Sequence, residues 1–232
     1  MLRNKDCLPM KLLTKSVTLS CLSIGLALAG NIRSEAASTQ VAVDPGQTWI
    51  GYMNVFALPA DGGGYMFGSP WGTADLRGSF SGNTLTLAPN INTYNAGDPY
   101  WVKPNGDGNK NMDASFYVEN DSLAGITVNF VGNTVANTLV SPYTSVAFIK
   151  DFAPDYSSST SVTAALVSGS FFSITLATNP GDHIQYGFET IGPDANPATV
   201  ALLGGVTVVP EPSSLALLGL AGMAALIARR RK

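Results

Sequence analysis

Short apolar runs separated by turn-forming residues constrain the fold of this chain more than any other feature. Between residues 40 and 208, no helical hydrophobic period persists for a dozen residues. Alternating runs such as Thr48–Ala57 and Ile126–Phe130 are instead separated by Gly, Pro, Asn and Asp. Alternation places successive side chains on opposite faces of a strand, and the intervening residues favour turns. We therefore predict about nine or ten strands in one all-β domain, a single antiparallel β-sandwich of the jelly-roll type.

Local patterns divide the predicted domain further. Ser81-Gly82-Asn83 separates two short runs and predicts a hairpin, whereas Ser69–Gly72 predicts a turn with Trp71 at its tip. Pro89–Asp113 is rich in Asn, Asp and Gly and predicts a long irregular loop. Loops of that length in a compact domain are usually functional or disordered. Trp49 alternates with small and apolar residues, and we expect it in the core.

The first 36 residues have the pattern of a secretory signal peptide. A cationic start precedes the apolar run Val17–Ala29, and small residues permit cleavage after Ala29 or, as we prefer, after Ala36. An uncleaved N-terminal anchor is the alternative, although the run is short for one. Both cysteines, Cys7 and Cys21, precede the cleavage sites. The mature domain, residues 37–208, therefore has no disulfide or thiol and depends on burial for stability.

The last 24 residues, 209–232, have three parts in order. Pro210, Glu211 and Pro212 interrupt any regular structure, and the uncharged run Leu215–Ala228 follows them. Its fourteen residues would make a helix of roughly 21 Å, shorter than the ~30 Å hydrocarbon core of a bilayer. Four cations end the chain and would hold that end in the cytoplasm: Arg229, Arg230, Arg231 and Lys232.

This order of triplet, apolar helix and cationic end resembles the PEP-CTERM sorting signal of exopolysaccharide-producing Gram-negative bacteria. The resemblance implies export by the Sec machinery and a transient membrane intermediate held by the C-terminal transmembrane helix. It also implies processing near Pro210-Glu211-Pro212 by a membrane protease of the exosortase type. The implied destination is the cell surface or the extracellular matrix. A plain tail anchor and a buried core helix are the alternatives for this segment.

Charge limits the partners of the domain. Only four of the thirteen Lys and Arg residues lie between the two end segments, against thirteen of the sixteen Asp and Glu residues. The domain therefore carries a net charge of about −9, which repels nucleic acids and anionic lipids. It is compatible with neutral glycans and with divalent cations.

The sequence contains no recognisable catalytic motif. His183 is its only histidine, and neither G-x-S-x-G nor H-E-x-x-H occurs. We interpret His183 as a residue of the surface or of a strand edge, and we expect no enzyme activity and no cofactor other than a candidate calcium ion. An exported polysaccharide hydrolase is the competing hypothesis, and it requires two carboxyl groups that converge in one cleft.

One polar segment is a candidate calcium site. Oxygen-bearing side chains occur at every second residue, and calcium prefers several such ligands. The candidate ligands are Asn105, Asp107, Asn109, Asn111 and Asp113. The segment departs from an EF-hand, because Met112 and Val118 stand where that loop needs Gly and Glu, and Lys110 adds a cation. A solvated loop without calcium is the alternative.

Four aromatic residues lie in or beside the predicted loops and are candidates for stacking on sugar rings: Trp71, Tyr94, Tyr100 and Trp101. The alternative is that these rings fill the ends of the core. The order of parts is similar to that of secreted bacterial proteins whose β domain precedes this sorting tail. That similarity implies a lectin-like or carbohydrate-module domain. We therefore expect a non-catalytic surface or matrix protein. It either binds glycan, with exopolysaccharide as the ligand, or is purely structural.

Overall fold

The computed structural model describes residues 38–211, which form twelve strands and three short 3₁₀ helices. In chain order the strands are β1 (Ser38–Ala42), β2 (Ile50–Ala57), β3 (Tyr65–Trp71), β4 (Gly78–Ser81), β5 (Thr84–Leu87), β6 (Lys110–Glu119), β7 (Thr127–Asn137), β8 (Thr144–Phe152), β9 (Ser159–Ala165), β10 (Ser170–Ala177), β11 (His183–Pro193) and β12 (Val206–Val209). The 3₁₀ helices are Pro59–Asp61, Asp121–Leu123 and Val200–Leu203. The all-β prediction is confirmed for this part of the chain, although β1 and β9 are missing from the predicted strands.

The strands form two six-stranded sheets. The first sheet is built on β7, which pairs with β10 along one edge. Along its other edge β7 pairs with β1 at Thr127–Val131 and with β12 at Asn133–Asn137, and β5 and β4 extend the sheet beyond β12. The β1–β7 pairing is parallel, so the expectation of purely antiparallel sheets is wrong at this position. The two strands lie far apart in sequence, and no hairpin fixes their direction.

The second sheet has the order β3-β2-β6-β11-β8-β9, and each pairing in it is antiparallel. Its two central strands, β6 and β11, are ten and eleven residues long. Along β6, Met112, Ala114, Phe116 and Val118 point into the core. The intervening side chains therefore lie on the opposite face, which we call the outer face of the second sheet.

One hydrophobic cluster contains buried residues of both sheets. They come from β5, β7, β10 and β12 in the first sheet and from β6, β8 and β11 in the second. Trp49 lies just before β2 and stacks on Phe116 with ring centroids 4.8 Å apart. It also lies 6.2 Å from Phe188, which is itself surrounded by Phe130 and Phe172. Trp49 is thus part of the core, as its alternation predicts.

Two local predictions are wrong. Ser69, Pro70 and Trp71 do not form a turn but end β3, an edge strand of the second sheet. An edge strand tolerates Pro70 because the missing N–H need not join a ladder. The predicted loop Pro89–Asp113 also ends early, because β6 begins at Lys110. The predicted hairpin at Ser81–Asn83 is present between β4 and β5.

The predictions for the two ends of the chain concern residues that lie largely outside the described range. These are the signal peptide in residues 1–36, the apolar helix Leu215–Ala228 and the four terminal cations. Within residues 38–211, no helix has the length and apolar character needed to cross a membrane.

Replacement of Phe188 tests the shared core. Phe188 belongs to the second sheet, has no exposed surface and contacts the rings of Phe130 and Phe172 from the first sheet, so Phe188→Ala leaves a cavity. We expect a loss of about 3–5 kcal/mol in the free energy of unfolding, measured by urea denaturation. Phe171→Ala is the control, because Phe171 is 62% exposed on β10. Equal effects of the two substitutions would contradict the core described here.

Candidate ligand-binding cleft

The outer face of the second sheet combines aromatic and polar side chains. On β6 this face presents Asp113, Ser115, Tyr117 and Glu119, between the residues that point into the core. The register places Tyr52 of β2 opposite Ser115, and Gln185 of β11 opposite Glu119. Because antiparallel partners lie side by side, residues from three strands meet on one surface.

A cleft of about 510 Å³ lies on this face. Its walls combine rings that expose flat apolar surfaces with amides, a hydroxyl and charged groups. The lining residues are Ile50, Tyr52, Asn54, Pro70, Ser115, Tyr117, Glu119, Lys150, Phe152, Tyr156 and Gln185. The volume lies in the range typical of small-ligand sites.

Two glycines make room for the rings of the cleft. A Cβ atom at Gly187 would lie 2.7 Å from the Cβ of Tyr117, so no larger residue fits there without a shift of the backbone. Gly68 of β3 similarly leaves space for Tyr52, whose ring would lie 2.7 Å from an added Cβ. Burial raises the pKa of Tyr117 to about 12. Its hydroxyl group therefore remains protonated at neutral pH and can donate a hydrogen bond.

One rim of the cleft is held by a hydrogen-bonded group around Glu119. Gln185 donates to Glu119 with a distance of 2.7 Å, and the Tyr156 hydroxyl donates to the same carboxylate with a distance of 3.2 Å. The Tyr156 ring stacks on His183 at 4.5 Å, and its backbone has a φ of 57°. A positive φ is unfavourable for tyrosine, so the surrounding contacts must stabilise this conformation.

His183 is the first residue of β11, next to the cleft rather than inside the core. Its Nδ1 lies 3.0 Å from an oxygen of Asp121. This hydrogen bond raises the pKa of His183 above its usual value. The expectation of a histidine at the surface or at a strand edge agrees with this position.

Two acids occupy diagonal positions on the same face, Asp113 on β6 and Glu189 on β11. Glu189 accepts a hydrogen bond from Ser115 at 3.4 Å and pairs with Lys150. Asp113 has a buried oxygen, Oδ1, for which no hydrogen-bond partner is present among the described residues. Burial and the nearby Glu189 raise the pKa of Asp113 to about 7, while Lys150 opposes that shift.

The four predicted stacking residues lie away from this cleft. Trp71 and Trp101 pack against a second buried cluster formed by Met53, Val55, Leu76, Met112 and Ala114. Tyr94 donates its hydroxyl to the carbonyl of Gly106 at 2.8 Å. Tyr100 is 39% exposed and carries the ammonium group of Lys110 over its ring. These contacts match the alternative interpretation for the two tryptophans, while glycan stacking by the four remains a prediction.

The structure does not bring the five candidate calcium ligands together. Asn105 and Asp107 bond to each other across a turn, and Asn109 donates to the carbonyls of Pro99 and Tyr100. Asn111 and Asp113 belong to β6 and lie on its outer face. The calcium site remains a prediction from the spacing alone.

Asn105 and Asp107 line another cleft, of about 600 Å³, beside Tyr143 and Asp194. Asp194 is almost fully buried and accepts a hydrogen bond from Thr93 at 2.7 Å. Burial raises the pKa of Asp194 to about 6. This second cleft lies at the end of the long loop and shares no lining residue with the cleft on the outer face.

Comparison with known proteins identifies only the tail. Residues 208–232 match the family model of the PEP-CTERM protein-sorting motif. The motif implies an exported protein that passes through the membrane to the cell surface and is processed by exosortase, a membrane protease. Pro210 and Glu211 lie at the end of the described residues, after β12, and Pro212 lies beyond them. No curated protein matches the chain, and no solved structure matches it.

Sequence reasoning missed the residues of the outer face. On β2, Met53 and Val55 face the core. The alternate positions of the same strand carry Ile50, Tyr52, Asn54 and Phe56, a run too aromatic for a solvated strand face. The alternation along β2 therefore indicates a second, partly apolar strand face. The sequence alone does not show that this face lies beside those of β6 and β11.

Asp113 gives the domain a pH-dependent stability. Its folded pKa of about 7 exceeds the unfolded value of 3.8, so this carboxyl group does not destabilise the fold below about pH 4. As the pH rises from about 4 to 7, the unfolded state releases its proton first, and stability falls. We expect Asp113→Asn to unfold at higher urea than wild type at pH 7.5 and to show a flatter profile between pH 4 and 7. Asp61→Asn, at an exposed position, is the control and should keep the wild-type profile. A profile that is equally steep in Asp113→Asn would contradict the assignment.

Proposed function

We propose that this chain is a non-catalytic surface or matrix protein whose single β-sandwich domain binds a neutral polysaccharide. The observation that carries the proposal is the cleft on the outer face of the second sheet, in which tyrosine rings and amide groups share one wall. The sorting motif supports the destination, because it implies export to the cell surface. Exopolysaccharide of the producing cell is the ligand source that we propose.

The chemistry of the cleft fits a sugar chain. Sugar rings present apolar C–H faces, which pack on the flat surfaces of Tyr52 and Tyr156. Asn54 and Gln185 supply amide donors and acceptors for the hydroxyl groups. The acidic domain disfavours anionic polymers, since repulsion would oppose their approach. Neutral chains avoid this repulsion and still use both kinds of contact.

Replacement of Tyr52 tests this proposal. We expect Tyr52→Ala to weaken retention of the full-length chain on neutral exopolysaccharide about tenfold, because one stacking surface is lost. Affinity electrophoresis in gels that contain the polysaccharide measures the change. Tyr65→Ala is the matched control, since Tyr65 is 61% exposed on the adjacent strand β3 and does not line the cleft.

Each outcome separates the possible roles. Weaker retention of Tyr52→Ala alone supports the cleft as the binding site. Equal loss in Tyr52→Ala and Tyr65→Ala would point to a different surface. Failure of the wild-type protein to bind any polysaccharide would leave the purely structural role.

A hydrolase is the second candidate. The diagonal positions of Asp113 and Glu189 on one sheet face favour it. Glycosidases in general use two carboxyl groups about 5–9 Å apart, one of which is protonated near neutral pH. Two observations weigh against this role. Glu189 is already held by Lys150 and Ser115, and neither acid is among the residues that line the cleft. We therefore favour binding without catalysis.

Reducing-sugar release from the bound polysaccharide tests the second candidate. Under the non-catalytic proposal, wild type, Asp113→Asn and Glu189→Gln all release sugar at the rate of the buffer alone. Release by wild type that falls at least a hundredfold in both variants would establish the hydrolase instead. Unfolding curves of the two variants show whether a loss of activity reflects a loss of fold.

A further inference from the structure

Three potential metal ligands converge beside the cleft. Glu119 ends β6, Asp121 begins the short helix Asp121–Leu123, and His183 begins β11. One ligand atom from each of the three lies within 4.8 Å of the other two. Glu119 and Asp121 lie two residues apart, and the pairing of β6 with β11 brings His183 beside them from more than sixty residues further along the chain. An ion at this point would therefore join distant parts of the chain.

The side chains of His183, Asp121 and Glu119 face one small volume. Nδ1 of His183 lies 3.0 Å from Oδ2 of Asp121, and Glu119 adds a second carboxylate nearby. In the tautomer that carries its proton on Nδ1, a neutral His183 donates a hydrogen bond to Asp121. A metal ion bound by all three groups takes the place of that proton.

The groups around the three ligands hold them in place. Gln185 and Tyr156 bond to the two oxygens of Glu119, and the Tyr156 ring covers the His183 ring at an interplanar angle of 7°. Metal-binding histidines and carboxylates commonly have such outer hydrogen bonds, which orient them before the metal arrives.

We propose that Glu119, Asp121 and His183 form a binding site for one divalent transition-metal ion of the zinc class. One imidazole nitrogen and two carboxylate oxygens form a mixed donor set that suits Zn²⁺, whereas Ca²⁺ and Mg²⁺ prefer oxygen alone. Three protein ligands leave at least one coordination position of Zn²⁺ for water. This site differs from the calcium loop predicted from the sequence and does not depend on what the cleft binds.

Calorimetric titration of the untagged full-length chain with Zn²⁺ at neutral pH tests the site. We expect one equivalent of Zn²⁺ to bind, and an excess of Ca²⁺ to leave that binding unchanged. His183→Gln and Asp121→Asn should each weaken Zn²⁺ binding at least tenfold, because each removes one ligand. Asp155→Asn is the matched control, since Asp155 lies on the neighbouring exposed loop and bonds to Ser157.

Three results would overturn the proposal. The first is an absence of Zn²⁺ binding by wild type. The second is binding that persists unchanged in His183→Gln, which would assign the metal to other groups such as Cys7 and Cys21. The third is equal weakening by Asp155→Asn, which would indicate a general attraction of cations to an acidic surface. Urea unfolding of the metal-free variants confirms that each one retains the fold.

Discussion

The packing of aromatic rings between the two sheets supports the rest of the structure. Trp49, Phe116 and Phe188 stack in the second sheet, and Phe130 and Phe172 meet them from the first. Residues 38–211 contain no cysteine and therefore no disulfide, so burial of these rings supplies the main favourable term in the stability of the domain. The alternation that points them inward also fixes which side chains face outward. The composition of the outer face is therefore set by the same register as the core.

The outer face departs from what stability alone would select. A partly buried lysine–glutamate pair, a carboxyl group with a raised pKa and a tyrosine in a left-handed conformation all lie on or beside it. Such features lower stability or at best leave it unchanged, and they cluster where a protein binds or reacts. Gly187 and Gly68 keep this surface open for rings. These features support our proposal that the outer face is the binding surface of the domain, with the Glu119 group at its rim.

The sequence was sufficient for the fold class and the sorting motif but not for the site. Period-2 alternation identifies β2 and the core positions Met53 and Val55, and the triplet Pro210-Glu211-Pro212 is read directly from the chain. The cleft requires the pairing of β2, β6 and β11, which is set by tertiary packing over long separations. Trp71 and Trp101 lie among turn-forming residues in the sequence, which predicts exposed rings, although Trp71 ends β3. They pack inward because large rings gain most from burial.

The sorting motif implies export to the cell surface, where we propose that the outer face meets the polysaccharide. The intact mass of the native protein recovered from the culture medium and matrix is the most direct test of this delivery. We predict a species that lacks the leader and ends near the triplet that begins at Pro210. A protein found only in membranes that retains Arg229–Lys232 would contradict processing and release, and would leave the chain as an ordinary tail-anchored protein.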